Sequence, residues 1–257
     1  MLDPITTIAI LIGVGLGAGT LGSMLGVGGG IIMVPALTFL GLPPVQATST
    51  SLIAVASTSV SSTVEYSRQK RIDYRLGMEM AAFAIPGAVL GAILADYLST
   101  GSFSLYFGIL LILTGVYILY KNSILKDAAA KKRSMALRMA VFAATFGAGI
   151  ISSLFGVGGG VIFVPAMLLV IGLTMQRAAP TSQLVLMMTS VAGVLMHAFL
   201  LHPDYLQALA LSAGAFAGAQ IGARLSRTAK EVLLQRLLGS VLIAVAAKFI
   251  YDWLASR

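Results

Sequence analysis

Apolar runs, each closed by a turn or a charged cluster, follow one another along the whole chain. They extend from Ile5 to Leu25, Gly30 to Leu42, Ala47 to Val64, Leu76 to Leu98, Phe103 to Tyr120, Ala136 to Phe155, Gly160 to Gly172, Ala178 to Leu201, Leu206 to Leu225 and Val232 to Leu254. Most are long enough as helices to cross a hydrocarbon core of roughly 30 Å, and none carries the lipid-out, lumen-in alternation of a barrel strand. Two are shorter: Gly30 to Leu42 and Gly160 to Gly172 would reach only about 20 Å as helices. Each is read as one arm of a re-entrant hairpin. The expected fold is an all-α integral membrane protein of eight to ten membrane helices, including two glycine-broken re-entrant or half-length hairpins.

The short runs also reveal a duplication. Leu25-Gly26-Val27-Gly28-Gly29-Gly30-Ile31-Ile32-Met33-Val34-Pro35 returns as Phe155-Gly156-Val157-Gly158-Gly159-Gly160-Val161-Ile162-Phe163-Val164-Pro165. The offset is 130 residues at the glycines and 131 from Gly172 onward. In that register Gly41 falls on Gly172, Thr50-Ser51 on Thr181-Ser182, Thr58-Ser59 on Thr189-Ser190, Asp73-Tyr74 on Asp204-Tyr205, Gly87 and Gly91 on Gly218 and Gly222, and Tyr120 on Tyr251. Each half holds five apolar segments, and an odd number makes the second half enter the membrane upside down. The expected organisation is a first transmembrane repeat over 1–121, a cytoplasmic linker over 122–135 and a second, inverted repeat over 136–257.

Charge fits that reading. The chain has 257 residues, 58% of them hydrophobic, 10% charged, with a net charge of +8. The basic residues gather in alternate loops: Arg68, Lys70, Arg71 and Arg75; the linker with Lys121, Lys126, Lys131, Lys132, Arg133 and Arg138; Arg177; and Arg224, Arg227, Lys230 and Arg236. Only Lys248 and Arg257 fall opposite, with Asp3, Asp96, Asp204 and Asp252. By the positive-inside rule the basic loops are cytoplasmic, both termini extracytoplasmic, and the protein a multi-pass component of the cell membrane. The positive charge is therefore topological, and no nucleic-acid partner is expected. The start Met1-Leu2-Asp3-Pro4 lacks a basic n-region, so the first run is expected to stay as a helix.

Glycine lets the backbone open, leaving amide N–H groups uncommitted at the start of the next helix, where the helix dipole adds partial positive charge. Such an end attracts anions, and in hydrocarbon its free donors cost several kcal/mol unless something satisfies them. Pro35 and Pro165, five residues on, are expected to break the helix. Two such loops meeting across a pseudo-twofold axis would cradle a small anion without a buried lysine or arginine. The substrate-binding set is thus Gly26, Gly28, Gly29, Gly30, Gly156, Gly158, Gly159 and Gly160. Close helix packing is the competing reading of glycine; it is preferred for Gly13, Gly15, Gly17, Gly19, Gly22, Gly87, Gly91, Gly218 and Gly222.

These residues resemble the TauE/SafE sulfite exporter family. The likeness rests on Gly26-Val27-Gly28-Gly29-Gly30 with Val34-Pro35, on Gly156-Val157-Gly158-Gly159-Gly160 with Val164-Pro165, and on the Thr/Ser-rich helix after each. It covers nearly the whole chain. It implies a multi-spanning transporter whose named members export sulfite or sulfoacetate, or serve taurine and other organosulfur metabolism.

Hydroxyls crowd the third run and its copy. Thr50, Ser51, Thr181 and Ser182, with Gln183, are expected to support the anion, although Ser and Thr in membrane helices also bond their own backbone or a neighbouring helix. His197 replaces Tyr66 of the first half and is the candidate for proton coupling, with an outward-end hydrogen-bonding role as its alternative. His202 reads as a loop residue, Glu65, Glu79 and Asp96 as snorkelling, Arg224 as interfacial, and Gln220 as reaching the cavity. With two histidines and no cysteine there is no metal-ligand cluster. No zincin, nucleophile-elbow or phosphate-loop pattern occurs, so neither an enzyme nor a cofactor is expected. The expected activity is secondary-active export of a small anion, sulfite or an organosulfur compound such as an organosulfonate, by alternating access. A passive channel or permease for a small neutral solute is the alternative. The expected partners are the anionic substrate and the bilayer, with a homo-oligomer left open.

Overall fold

A computed structural model describes residues 3–97, 103, 105–113, 115–116, 135–228, 243–247 and 249–251. The linker expected over 122–135, apart from Met135, lies outside them, as do Lys230, Arg236, Lys248, Asp252 and Arg257. All regular structure among the described residues is helical. The elements are α1 (Pro4–Leu25), α2 (Gly30–Phe39), α3 (Pro44–Arg68), α4 (Tyr74–Leu94), a 3-10 turn (Ala95–Tyr97), α5 (Met135–Phe155), α6 (Gly160–Pro165), a wide π turn (Ala166–Ile171), α7 (Met175–Phe199) and α8 (Tyr205–Leu225). Helical backbone also occurs within 103–116 and 243–251.

Corresponding elements match in length and in what bounds them. Helices α3 and α7 both have 25 residues, and α4 and α8 both have 21. Asp73 and Asp204 cap α4 and α8, each carboxylate accepting the amide three residues on (Leu76 and Gln207, both 3.1 Å). The short apolar arms are shorter than the sequence suggested. Helix α2 has 10 residues and runs through Pro35, while α6 has 6 and passes at Pro165 into the π turn, where the missing proline N–H widens the backbone.

Among the described residues, four segments are long and apolar enough to cross a bilayer: Ile5–Leu25, Tyr74–Tyr97, Met175–Phe199 and Tyr205–Leu225. Helix α3 has the length but carries too many hydroxyls to rank among them. Those hydroxyls point inward: Thr48, Ser49, Thr50, Ser51, Thr58, Ser59, Ser61 and Ser62 are buried, as are Thr181, Ser182, Gln183, Thr189 and Ser190 of α7. The outer surface is apolar instead, with Leu195, Phe199, Leu206 and Leu209 all exposed. A polar interior under an apolar coat suits lipid, not water.

Helix α1 packs along α8, and α4 along α5, backbone against backbone. A Cβ on Gly15 or Gly19 of α1, on Gly214, Gly218 or Gly222 of α8, or on Gly87 or Gly91 of α4 would strike a partner carbonyl. Small-residue packing therefore accounts for these positions, whereas Gly13 and Gly17 face open space. Helices α3 and α7 pack on each other and on both pairs, forming the centre.

Candidate functional site at the crossing of two glycine loops

Each GVGGG segment ends one helix and starts another by left-handed turns that suit glycine. In the first, φ is 74° at Gly26, 90° at Gly28 and 84° at Gly29; in the second it is 66° at Gly156, 89° at Gly158 and 59° at Gly159. The loops lie back to back. A Cβ on Gly30 would meet the Gly156 carbonyl and come within 2.8 Å of Val157 Cα; one on Gly160 would meet the Gly26 carbonyl and come within 2.7 Å of Val27 Cα. Helices α3 and α7 clamp the crossing reciprocally: Ser51 Oγ donates to the Gly156 carbonyl at 3.1 Å, and Ser182 Oγ to the Gly26 carbonyl at 2.7 Å.

The backbone donors here are incompletely used. Gly26 N–H reaches Ser23 O, and the Val27 and Gly28 amides share Gly22 O. Beyond them the amides of Gly29, Gly30 and Ile31 have no acceptor among the described residues, although all three residues are buried. In the second loop Gly160 N–H turns back to Gly158 O at 2.6 Å, and the amides of Gly158, Gly159 and Val161 lack an acceptor in the same sense. Gln183 Nε2 donates at 2.9 Å to Gly22 O, beside the first loop. Its Oε1 is buried and finds no partner among the described residues, nor does the buried Ser152 hydroxyl at the second-half counterpart of Gly22.

The expected ligands thus fall into distinct groups. The glycines form the crossing, Ser51 and Ser182 spend their protons on it, and Gln183 flanks it. Thr50 and Thr181 do something else: their Oγ1 atoms accept the Asp204 and Asp73 amides, both at 3.0 Å, stapling α3 to the head of α8 and α7 to the head of α4. Gln220 donates to Ser61 O on α3 at 3.2 Å, and Arg224 meets Glu65 at 3.6 Å.

Two further features carried little signal in the sequence. A Cβ on either Gly28 or Gly158 would meet Val55 Cγ1 and a Leu186 methyl, so these residues, one from α3 and one from α7, close the crossing with apolar groups. The others lie at the two ends of α4. Near its start, Tyr66 Oη donates to Ser23 O at 3.0 Å, with the Arg71 guanidinium 5.3 Å from the Tyr66 ring centre and 2.9 Å from Ser226 Oγ. Past its end, His197 Nε2 contacts Ser153 O at 3.0 Å, His197 Nδ1 contacts His202 Nδ1 at 2.9 Å, and His202 Nε2 lies 2.9 Å from Asp96 Oδ1. His202 and Asp96 are therefore partners rather than a bare loop residue and a snorkelling carboxylate. The offset that sets His197 on Tyr66 also sets His202 on Arg71, which was the available clue.

A family model described as Sulfite exporter TauE/SafE matches residues 11–249. A probable membrane transporter protein of Bacillus subtilis strain 168, YunE, is 32% identical, the alignment covering 96% of this chain and 98% of that protein. A probable membrane transporter protein of Haemophilus influenzae is 26% identical over 96% of each chain. YfcA of Escherichia coli K12, of the same description, is 26% identical over 98% of this chain and 92% of its own. No solved structure matches.

Proposed function

The chain belongs to the Sulfite exporter TauE/SafE family of membrane transporters, and we propose that it is a secondary-active carrier exporting a small oxyanion, sulfite or an organosulfonate, by alternating access. The observation that supports this reading is the set of amides at the buried loop crossing that find no acceptor among the described residues. Unpaired N–H groups at membrane depth cost several kcal/mol, and a negatively charged guest repays that cost at a helix start.

Gln183 narrows the guest. Its Nε2 is engaged, so its buried Oε1 calls for a donor. Hydrogensulfite offers acceptor oxygens to the amides and one proton to such an acceptor; fully ionised sulfate offers only acceptors. The Val55 and Leu186 groups at the crossing favour a carrier over an open pore, because they interrupt any continuous polar path.

An inverted repeat is supported by contacts that recur at the repeat offset. Ser51 and Ser182, Thr50 and Thr181, and Tyr66 and His197 each bond the counterpart of the other's partner. The Tyr66 and His197 groups sit at opposite ends of a helix of about 32 Å. Arg71 Nε also donates to Gln176 O at 3.0 Å, gathering the basic residues of three loops at one end. The positive-inside rule makes that end cytoplasmic.

The test is Gln183→Leu, since leucine is the residue at the matching position 52. Gly29→Ala is a poorer probe because its Cβ would lie 2.6 Å from Ala18 O at a left-handed φ. Purified protein is screened for thermal stabilisation by sulfite, sulfate, thiosulfate, sulfoacetate and taurine, and for counterflow in vesicles. A ligand at a hundred times its Kd adds about 2.7 kcal/mol. Sulfite should stabilise the native protein more than sulfate, and Gln183→Leu should fold normally yet lose that response. An unchanged response in the variant, or none to any anion in the native protein, would refute the proposal.

A further inference from the structure

The two ends of α4 carry the same arrangement built from different chemistry. A carbonyl three residues before a glycine loop (Ser23 or Ser153) accepts a side chain near the end of a central helix (Tyr66 or His197). That side chain meets a residue five positions on (Arg71 or His202), which in turn meets a polar residue from the other half of the chain (Ser226 or Asp96). At the basic end the middle residue is arginine, a permanent cation. At the opposite end it is histidine, which carries charge only when protonated.

The hydrogen-bond roles at the histidine end follow from its two acceptor-only termini. Ser153 O can only accept, so His197 Nε2 carries a hydrogen. A neutral His197 then presents the bare Nδ1, so His202 Nδ1 must donate to it. His202 Nε2 faces the Asp96 carboxylate at 2.9 Å. Two bare acceptors at that distance repel, so the contact is satisfied by one additional proton, which makes His202 an imidazolium paired with Asp96. The carboxylate is half exposed, at 49%; His202 is 11% exposed and His197 fully buried. Among the described residues, the titratable groups facing His197 are His202 and Asp96. From α5 comes the Ser153 carbonyl, and Asp204 at the head of α8 spends its carboxylate on the Gln207 amide.

We propose that Asp96, His202 and His197 form a proton-binding site, and that its loading ties the second glycine loop, through Ser153, to the end of the protein opposite the basic loops. The proton enters from water at Asp96 and rests on His202 Nε2. Its return to water leaves two facing acceptors and releases the contact. As the coupling site of the carrier this rests on the function proposed above; as a proton site it stands by itself.

The chain has only two histidines, so ring nitrogens can be read directly by long-range proton–nitrogen NMR on histidine-labelled protein in nanodiscs. At neutral pH three of the four ring nitrogens should carry hydrogen: both of His202 and Nε2 of His197. In Asp96→Asn the His202 imidazolium should be lost, leaving two. Two neutral rings in the native protein, or a count unchanged by Asp96→Asn, would overturn the proton site whether or not any anion is carried. Sulfite counterflow between pH 6 and 8 supplies the coupling arm. Native flux should vary by up to about tenfold per pH unit, the limit for one proton. His202→Arg, which copies the fixed cation of Arg71, should flatten that profile while the protein stays folded. A profile unchanged in both variants would overturn the coupling role, and loss of counterflow in native protein alone would instead count against the carrier.

Discussion

Placing a single methyl group at the crossing tests how tightly the loops are held. In Gly30→Ala the new Cβ would lie 2.8 Å from Val157 Cα and closer still to the Gly156 carbonyl oxygen, against an ordinary contact distance of 3.4 Å or more. The obstacle is backbone, which Ser51 fixes from one side, so no side chain can swing away. Overpacking of this kind costs about 1–3 kcal/mol. The conformational gain of alanine over glycine, up to about 1 kcal/mol inside a helix, offsets little at a first helical residue. For a chain of this size about 2 kcal/mol corresponds to a drop of roughly 4–8 °C in Tm. Gly13→Ala is the internal control, because its Cβ would meet nothing within 4 Å and should leave Tm unchanged or slightly raised. Thermal loss of the monodisperse size-exclusion peak in one detergent compares the two directly. Gly160→Ala should behave like Gly30→Ala. If Gly30→Ala and Gly13→Ala melt together, the loops are not in backbone contact and the crossing is wrong.

Ser51→Ala and Ser182→Ala should each leave a buried loop carbonyl without its side-chain donor, costing about 1–3 kcal/mol. Because they clamp one crossing, a double-mutant cycle in the same melting assay should show a coupling of at least about 0.5 kcal/mol; strict additivity would separate them. Arg71→Lys should lose roughly 1 kcal/mol despite keeping its charge. A lysine cannot reproduce the guanidinium contacts to Gln176, Gln69 and Ser226 while lying over the Tyr66 ring. Equal melting of Arg71→Lys and native protein would show those contacts to be idle.

The element pattern was legible because it is local. Apolar runs, the aspartates before α4 and α8 and the glycine blocks each act within a few residues of their own position; the runs behind α1, α3, α4, α5, α7 and α8, both aspartate caps and both glycine breaks lie where the pattern put them. The use of the hydroxyls was not. Thr50 and Ser51 are adjacent in sequence but point to different partners, because one residue turns a helix by about 100°; one holds the head of α8 and the other the loop. A density of serine and threonine announces a polar interior without saying which oxygens remain for a guest. Val55 and Leu186 gave no signal, since one more aliphatic residue in an apolar helix looks like its neighbours. His202 reads as a plain loop residue in the sequence because Asp96, its partner, lies more than a hundred positions away.

Pairing of α1 with α8 also fixes the order of events during synthesis. Helix α1 leaves the ribosome grooved by glycines shaped for a helix whose residues begin at position 205. At about 5–20 residues per second, roughly 10–40 s pass before that partner exists. Throughout that interval α1 is shielded by lipid or by an assisting protein, and its tightest contact closes late rather than nucleating the rest.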